Sequence, residues 1–393
     1  MGYYREVEQG ASRYVVGKIE PFDQKNEMFK RPLWDPRVAD IGKRFYQDPV
    51  MPRDKPGRRL KDQSLVNASW RLDQEFAHGA MGMGIGRVGL YGWNWGGKCI
   101  FPNVPAGLRT TETDPASMTR DIKRAATFLG ASLVGICELD RRWLYSHAYR
   151  VTPTGGGIVE NNIPNEFRYA IAIAIEMDYE AIRCSPAFPA GAAAGLGYSR
   201  MAFVAGMLAQ YIRGLGYQAI PTGNDTALSI PIAIDAGFGE IARNGLLVTP
   251  WFGPRVRLAK VLTDLPLVPD KPIEFGVRDF CRICNKCVKN CPSHSIQSGE
   301  PSEKTFNISN REGVGTWLVN AETCLDFWTK NGGDCANCIR TCPFNKPRDS
   351  RLHEVVRWGV FNTHWLNKLF LWGDDFFGYG KRGNSNRFWE YRD

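Results

Sequence analysis

Eight of the eleven cysteines in this 393-residue chain lie in its last third, seven of them in two closely spaced runs. The first run has the spacing C-x2-C-x2-C-x3-C-P and consists of Cys281, Cys284, Cys287 and Cys291, followed by Pro292. The second run repeats C-x2-C-x3-C-P and consists of Cys335, Cys338 and Cys342, followed by Pro343, with Cys324 upstream. Thiolates at these spacings bind cubane iron–sulfur clusters, so we expect the chain to carry electrons.

In two-cluster ferredoxins with this spacing, the fourth cysteine of each run binds the cluster held by the other run. By that rule, one [4Fe–4S] cluster is predicted to be bound by Cys281, Cys284, Cys287 and Cys342. The other cluster is predicted to be bound by Cys291, Cys324, Cys335 and Cys338. Paired C-x2-C motifs also hold zinc, but a four-ligand zinc site does not explain a three-residue gap followed by proline in both runs. The cluster interpretation is therefore favoured over zinc.

The region before the cysteine runs has the pattern of mixed α/β structure. Asp114 before Pro115 is a typical helix start and predicts a helix that ends near Leu129. The alternation of Tyr or Ile with Ala from Phe167 to Met177 predicts a central strand. The other predicted elements are helices over Ser199–Arg213 and Ile234–Arg243, and strands over Val134–Cys137, Gln218–Ile220 and Arg257–Leu262.

These patterns predict an α/β (α+β) fold, in which helices cover a central sheet and a ferredoxin-like domain follows. Residues 1–113, rich in turns and aromatic side chains, are predicted to wrap around the core formed by residues 114–270. Residues 271–347 are predicted to form the domain with two clusters, after a proline-punctuated linker. Residues 348–393 form a tail with several tryptophans that we expect to pack back on the core.

Composition is that of an ordinary soluble globular protein, with 43% hydrophobic and 23% charged residues. The formal net charge of +9 comes from basic residues that are scattered along the chain, so nucleic acid is not an expected partner. No apolar run has the length of a transmembrane helix, and no export leader is recognised at the N-terminus. Cys99, Cys137 and Cys184 lack metal or disulfide spacing and are expected to be small buried residues.

A cluster module joined to a larger domain implies a second redox centre in that domain. Flavin, nicotinamide, molybdopterin, haem and corrinoid are the candidates. The chain has no C-x2-C-H haem attachment motif and no D-x-H-x-x-G run of the kind that supplies an axial histidine to cobalamin. Gly84, Gly86 and Gly89 match G-x-G-x-x-G, but no strand precedes them and no helix follows, so a dinucleotide site is rejected.

The sequence from Ile234 to Leu267, IDAGFGEIARNGLLVTPWFGPRVRLAKVLTDLPL, leads directly into the cysteine runs. It resembles the corrinoid-dependent reductive dehalogenases of organohalide-respiring bacteria and, more distantly, epoxyqueuosine reductase. Residues 21–36 (PFDQKNEMFKRPLWDP) and 91–97 (YGWNWGG) also resemble the dehalogenases. The resemblance implies a nitroreductase-like core that binds a corrinoid, either cobalamin or a norpseudo-B12-like form, without a protein ligand below the cobalt.

The resemblance also implies roles for individual residues. Tyr198 matches the proton donor of the dehalogenases, and Asn224 and Arg257 match the residues that assist it. An arginine within hydrogen-bond reach would stabilise the phenolate by its charge. The corrinoid contacts implied by the resemblance are Asn224, Arg243, Asn244, Gly245, Leu246 and Leu258. Without the family pattern, Tyr198 would be interpreted as a core tyrosine bonded to a carbonyl.

The implied reaction replaces the halogen of a small organohalide, such as a chlorinated alkane or alkene, by hydrogen, with electrons passed through both clusters to Co(I). An apolar substrate favours a pocket lined by aromatic residues, and the candidates are Trp328, Trp95 and Trp93. Each of these tryptophans could equally belong to the core.

The resemblance implies a peripheral location on the outer face of the cytoplasmic membrane, with a membrane-anchor subunit and an electron donor as partners. It is also compatible with a homodimer, and the alternative location is the cytoplasm. Two other functions stay open. One is tRNA modification as in epoxyqueuosine reductase, which uses an acidic residue in place of Tyr198, and the other is electron transfer without catalysis.

Overall fold

The computed structural model describes residues 3–77, 89–93, 107–152, 155–347 and 351–390. Its strands are β1 (Arg5–Glu6), β2 (Leu133–Glu138), β3 (His147–Thr152), β4 (Gly155–Glu160), β5 (Tyr169–Glu176), β6 (Ala219–Thr222), β7 (Glu240–Ile241), β8 (Leu247–Val248), β9 (Val256–Thr263) and β10 (Ile273–Glu274). Its α-helices are α1 (Ala39–Tyr46), α2 (Leu60–Leu72), α3 (Pro115–Phe128), α4 (Tyr179–Arg183), α5 (Phe188–Gly214), α6 (Ser229–Asp235), α7 (Val277–Ile283), α8 (Lys286–Lys289), α9 (Ala321–Asn331), α10 (Asn337–Arg340), α11 (Arg351–Asn362) and α12 (Asn367–Phe376).

The core is a four-stranded antiparallel sheet in the order β2-β5-β9-β6. Strand β5 is a central strand, as its alternating sequence predicts, and its alternate residues point to opposite faces of the sheet. Its isoleucines pack with side chains of α3 and α5, and its alanines pack with α6 on the opposite face. Helices on both faces of a central sheet, followed by the cysteine-rich region, confirm the predicted fold class. The strands predicted at Val134–Cys137 and Arg257–Leu262 are β2 and β9, each longer by a residue or two.

Helix α5 begins well before the predicted start at Ser199, so Tyr198 lies inside the helix. Its glycines and Pro189 favour a loop in isolation, because glycine destabilises an isolated helix by about 1 kcal/mol relative to alanine. The alanines between Ala190 and Ala194 are nevertheless buried. Packing against α2, α4 and the sheet therefore outweighs the weak local preference.

The predicted helix over Ile234–Arg243 is wrong. Helix α6 ends at Asp235, and the chain continues as the short hairpin of β7 and β8. Gly237, Gly239 and Gly245 have φ values of 80°, 149° and 71°, which a right-handed helix does not allow. Three closely spaced glycines therefore turn this segment towards the cysteine-rich region.

The cysteine-rich region packs directly on the rest of the protein. Strand β1 pairs with β10, so the start of the chain crosses the predicted boundary at residue 271. Arg44 of α1 forms an ion pair with Asp326 of α9, with the two charged atoms 2.6 Å apart. These contacts join segments that the predicted domain boundaries separate. The boundaries themselves stay predictions.

The C-terminal tail contacts both parts of the protein. Asp374 of α12 accepts hydrogen bonds from Lys286 and Lys346 next to the cysteine runs. Trp389 donates its indole N–H to Asp62 of α2 over 2.7 Å. Trp365, by contrast, is 80% exposed. Within the described ranges, no helix is both long enough and apolar enough to span a bilayer.

Candidate active site

Tyr198 lies in the middle of α5, beside two glycines of the same helix. A Cβ atom at Gly195 would lie 2.4 Å from Cδ1 of Trp70, and a Cβ atom at Gly197 would lie 2.7 Å from Cγ of Arg257. Both distances are shorter than a carbon–carbon contact, which needs about 3.5–4.0 Å. The two glycines therefore let an indole and a guanidinium approach the helix next to the phenol ring.

Three side chains contact the phenol of Tyr198. Asn224 donates a hydrogen bond from Nδ2 to the phenol oxygen over 2.8 Å. Trp70 stacks on the ring, with 4.8 Å between ring centroids and 23° between the ring planes. The Cζ atom of Arg257 lies 5.0 Å from the centroid of the phenol ring. The structure thus brings the three residues predicted to act in catalysis together, and it adds Trp70.

Arg257 approaches the ring of Tyr198 rather than its oxygen, so the expected hydrogen bond to the phenol is not formed. Its Nε atom is buried and has no hydrogen-bond partner within the described part of the chain. Asp334, the residue before Cys335, interacts with the same guanidinium. Burial raises the pKa of the Asp334 carboxyl to about 6, while the positive charge of Arg257 lowers it. Arg257 therefore interacts with both the phenol ring and a carboxyl group near the cysteine runs.

Asn224 is held by a short loop between β6 and α6. The carboxylate of Asp225 accepts hydrogen bonds from the Gly223 amide over 2.9 Å and from the Thr226 hydroxyl over 3.1 Å. Thr226 has a φ of 68°, which is uncommon for a residue other than glycine. The single O–H of Tyr145 is shared between the Asn224 carbonyl at 3.3 Å and the Glu27 carboxyl at 3.0 Å. The loop is therefore tightly bonded although the Asn224 side chain is exposed.

A cavity of about 160 Å³ opens next to Tyr198 and Asn224. Its lining also includes Gln24, Glu27, Phe29, Lys30, Asp73, Tyr91, Met201 and Asp225. The segment around residues 24–30 thus supplies one wall of the cavity. Burial raises the pKa of the Glu27 carboxyl, which accepts a hydrogen bond from the Tyr145 hydroxyl over 3.0 Å.

Trp328 and Trp93, two of the tryptophans predicted to line the pocket, are not among the residues that line this cavity. Trp328 packs on Phe29, with 5.8 Å between ring centroids, and so lies behind a residue of the cavity wall. Trp93 packs against the core on the sheet face that contacts α6. Trp95 lies outside the described residues.

The thiols of the two cysteine runs interact as two groups of four. Burial raises the pKa of Cys342 well above its usual value, and Cys281, Cys284 and Cys287 raise it further. Burial raises the pKa of Cys324 to about 12, with further contributions from Cys335 and Cys291. Cys338 belongs electrostatically with the second group and also with Cys287. The first group therefore includes Cys342 from the second run, and the second group includes Cys291 from the first run together with the upstream Cys324.

Arg243 connects the hairpin of β7 and β8 to the cysteine-rich region. Its buried guanidinium donates hydrogen bonds to the Cys281 carbonyl over 2.7 Å and to the Gly299 carbonyl over 2.8 Å. Asn244 donates to the Cys338 carbonyl over 3.4 Å, and Leu246 packs near Cys338. Gly245 has a positive φ in the same turn, and Leu258 packs on the sheet face that contacts α6. A corrinoid contact for these residues stays a prediction.

The residues present fit the two kinds of cofactor expected from the sequence. Eight thiols in two groups supply the all-cysteine ligands that [4Fe–4S] clusters take. Beside the cavity, the buried Nε of Arg257 has no partner among the residues described, and Asn224 is exposed between buried neighbours. A buried guanidinium nitrogen without a described partner and an exposed amide beside it fit a further molecule bound against α5 and the Asn224 loop. Across the described ranges, no three His, Cys, Asp or Glu side chains are arranged to hold a single metal ion.

Sequence reasoning missed Trp70 and Asp334 of this site, and it also missed Lys260, whose ammonium donates hydrogen bonds to the Gly223 and Ala227 carbonyls in the Asn224 loop. The pattern Gly-x-Gly-Tyr at residues 195–198 is the one signal that could have indicated Trp70, since paired glycines mark a close approach. Asp334 directly precedes Cys335 and was hidden by the cysteine pattern. Lys260 is a single basic residue within a buried strand, and its partners are distant in sequence.

Comparison with known proteins gives a consistent picture. Residues 280–346 match the family model of the 4Fe-4S dicluster domain. The chain is 34% identical over 371 residues to the tetrachloroethene reductive dehalogenase of Sulfurospirillum multivorans, covering 87% of this chain and 72% of the relative. It is 42% identical over 306 residues to the tetrachloroethene reductive dehalogenase of Desulfitobacterium hafniense, covering 68% of this chain and 55% of the relative.

More distant similarities concern the fold and a second family. A solved B12-dependent reductive dehalogenase superposes with a TM-score of 0.73 at 24% identity, covering 98% of this chain and 50% of that chain. The chain thus spans about half the length of several proteins that it matches. The epoxyqueuosine reductase of Bacillus subtilis is 31% identical over 137 residues, which is 31% of this chain.

Proposed function

Because this chain belongs to the reductive dehalogenases, we propose that it replaces a halogen atom of a small organohalide by hydrogen. The reaction consumes two electrons and one proton: R–X + 2e⁻ + H⁺ gives R–H and X⁻. The relatives at 34% and 42% identity are named for tetrachloroethene, so chlorinated alkenes and alkanes are the proposed substrates. The observation that carries the proposal is the Tyr198–Asn224 hydrogen bond at the cavity, with Arg257 over the phenol ring.

The cofactors of this chain are two [4Fe–4S] clusters and a corrinoid. We assign one cluster to Cys281, Cys284, Cys287 and Cys342, and the other to Cys291, Cys324, Cys335 and Cys338. The electrostatic grouping of the thiols supports this assignment. The corrinoid, when bound, supplies the electrons that cleave the carbon–halogen bond. Asn224, Arg243, Asn244, Gly245, Leu246 and Leu258 are the residues proposed to contact the corrinoid.

Tyr198 is the proposed proton donor. Its oxygen accepts a hydrogen bond from Asn224 and so keeps its own O–H free to point into the cavity. Transfer of that proton to the carbon that has lost the halide leaves a phenolate on Tyr198. The Asn224 amide still donates its hydrogen bond to the phenolate oxygen. That bond is stronger than the one to the neutral phenol because the acceptor is now charged.

Arg257 and Trp70 favour the phenolate in two ways. The guanidinium lies over the ring, so its positive charge is attracted to the negative charge that develops on the phenolate. The stacked indole of Trp70 fixes the ring plane and excludes water from one face. The proton is thereby delivered from a defined position, and the tyrosine is then reprotonated for the next turnover.

The test uses purified protein reconstituted with corrinoid and clusters under anaerobic reducing conditions. Halide release from tetrachloroethene or trichloroethene is the expected result. Tyr198→Phe should lower turnover by about 10²- to 10⁴-fold, the usual contribution of a general acid, without changing the cluster and cobalt spectra. Tyr211→Phe is the matched control because Tyr211 lies on the same helix and is 39% exposed. Equal turnover of Tyr198→Phe and the parent would remove Tyr198 from the mechanism.

A tRNA-modifying activity is the weaker alternative. The similarity to epoxyqueuosine reductase covers 31% of the chain. The sequence resemblance implies an acidic residue in that family at the position of Tyr198. Absence of halide release together with tight tRNA binding at physiological salt would favour this alternative.

Further proposals concern partners and location. They are a membrane-anchor subunit, an electron donor, a homodimer and a peripheral place on the outer face of the membrane. Co-purification would test the partners, and cell fractionation would test the location.

A further inference from the structure

Lys260 is a buried lysine directly beneath the loop that carries Asn224. It belongs to β9, where it pairs with Thr222 of β6, and it is 1% exposed. Its ammonium donates hydrogen bonds to the Gly223 carbonyl, to the Ala227 carbonyl over 2.9 Å and to the Ser229 hydroxyl over 2.9 Å. An ammonium has three donors, so the loop accepts all of them.

The three acceptors lie on both sides of Asn224 in the sequence. Gly223 directly precedes it, and Ala227 and Ser229 follow it after the turn at Thr226. Because Thr226 has a positive φ, the loop adopts a backbone conformation that persists only where the surroundings enforce it. Lys260 therefore ties together the two ends of a loop whose own backbone preferences do not hold it closed.

Two side chains of β9, one on each face of the sheet, support the Tyr198–Asn224 pair. Arg257 and Lys260 are three residues apart, so their side chains leave an extended strand on opposite faces. Arg257 reaches the face covered by α5, where it lies over the phenol ring. Lys260 reaches the face covered by α6, where it bonds the loop. One rigid central strand thus supports both partners of the tyrosine.

We propose that Lys260 is a positioning residue, which holds the Asn224 amide at hydrogen-bond distance from the Tyr198 oxygen during proton transfer. This inference rests on the proposed function, since the position of Asn224 affects turnover only if Tyr198 delivers the proton. A purely structural reading competes with it. In that reading, Lys260 is a buried counter-ion for Asp225 and Glu27, both of which interact with its charge.

A double-mutant cycle separates the two readings, because coupled residues give non-additive effects. The four enzymes are the parent, Lys260→Met, Asn224→Ala and the double variant, each loaded to equal iron and cobalt content. We expect Lys260→Met to lower kcat about tenfold when Asn224 is present, with little change in KM, because small misplacements at a reacting group are costly. In the Asn224→Ala background, the same substitution should change kcat less than about twofold. Equal effects in both backgrounds would overturn the proposal.

Two more variants complete the test. One decides the question if Lys260→Met does not fold, and the other shows whether loss of a lysine charge elsewhere lowers kcat. Ser229→Ala removes one acceptor and keeps the lysine, so a two- to threefold loss of kcat, absent without Asn224, is expected. If Lys260→Met does not fold, the Ser229→Ala cycle decides, and an additive effect of that variant refutes the proposal. Lys123→Met is the matched control, because Lys123 forms one ion pair with Asp270 at 2.5 Å away from the loop. It should leave kcat unchanged.

Hydrogen–deuterium exchange of residues 223–229 gives a readout independent of turnover. Lys260→Met should accelerate exchange in this segment and leave α3 unchanged, whereas equal exchange in parent and variant would refute the role of Lys260. If the parent releases no halide, the proposed function fails, and the exchange experiment still decides whether Lys260 holds the loop.

Discussion

Substitution of Gly197 by alanine tests whether the position of Arg257 over the tyrosine ring matters for turnover. A Cβ atom at residue 197 would lie 2.7 Å from Cγ of Arg257. Because a carbon–carbon contact needs about 3.5–4.0 Å, the arginine must move by about 1 Å. A displacement of that size at a reacting group lowers kcat by up to about 10²-fold, and we expect a loss of about 10- to 100-fold.

The same substitution should have little effect on folding. Alanine in place of glycine within a helix interior stabilises the protein by about 1 kcal/mol. The added methyl group in a packed site costs about 1–3 kcal/mol. The free energy of unfolding should therefore fall by no more than about 2 kcal/mol, so that loss of turnover reflects the site rather than unfolding.

The assay is halide release at saturating substrate, together with thermal unfolding and the spectra of both cofactors. Gly214→Ala is the matched control, because Gly214 lies in the same helix and a Cβ atom there has no neighbour within 4 Å. This control should keep full turnover. If Gly197→Ala also keeps full turnover in a folded, fully loaded enzyme, the close approach of Arg257 to Tyr198 has no catalytic importance.

Two other predictions concern the clusters. Cys342→Ser should change the electron paramagnetic resonance signal and lower the iron content of the cluster assigned to Cys281, Cys284 and Cys287. Cys291→Ser should do the same to the cluster assigned to Cys324, Cys335 and Cys338. If each substitution affected the opposite cluster, the crossed assignment would be contradicted. Lys346 is a buried cation that interacts with Cys342 and Asp374. Lys346→Met should lower the reduction potential of the adjacent cluster by an amount on the order of tens of millivolts, because reduction adds negative charge, and a redox titration in which this potential rises would contradict the reasoning.

Local patterns in the sequence identified the parts of the fold that depend on local order. The cysteine spacing and the alternation of isoleucine and alanine in β5 are properties of neighbouring residues, and both predicted structure correctly. The long helix α5 was underestimated because its glycines are tolerated only through packing on α2 and the sheet. The helix predicted over Ile234–Arg243 was wrong because its apolar periodicity was given more weight than Gly237 and Gly239, both of which adopt positive φ.

The candidate site was predictable in composition but not in arrangement. Tyr198, Asn224 and Arg257 come from a helix, a loop and a strand, and the structure brings them together around one ring. The approach of Arg257 to the ring face depends on the missing side chain at Gly197, which no property of Arg257 itself indicates. The role of Lys260 depends on partners more than thirty residues away in sequence.

The cavity beside Tyr198 is built from two parts of different character. The phenol and the Asn224 loop belong to the sheet and its helices, whereas Phe29 and Lys30 belong to a segment of short turns laid across them. Exchange of that outer segment between homologous enzymes is expected to change which molecules the cavity admits and to leave the proposed proton donor Tyr198 and its partner Asn224 in place. Substrate range and chemistry can therefore diverge separately, as they do in antibodies, where variable loops are exchanged on a constant framework.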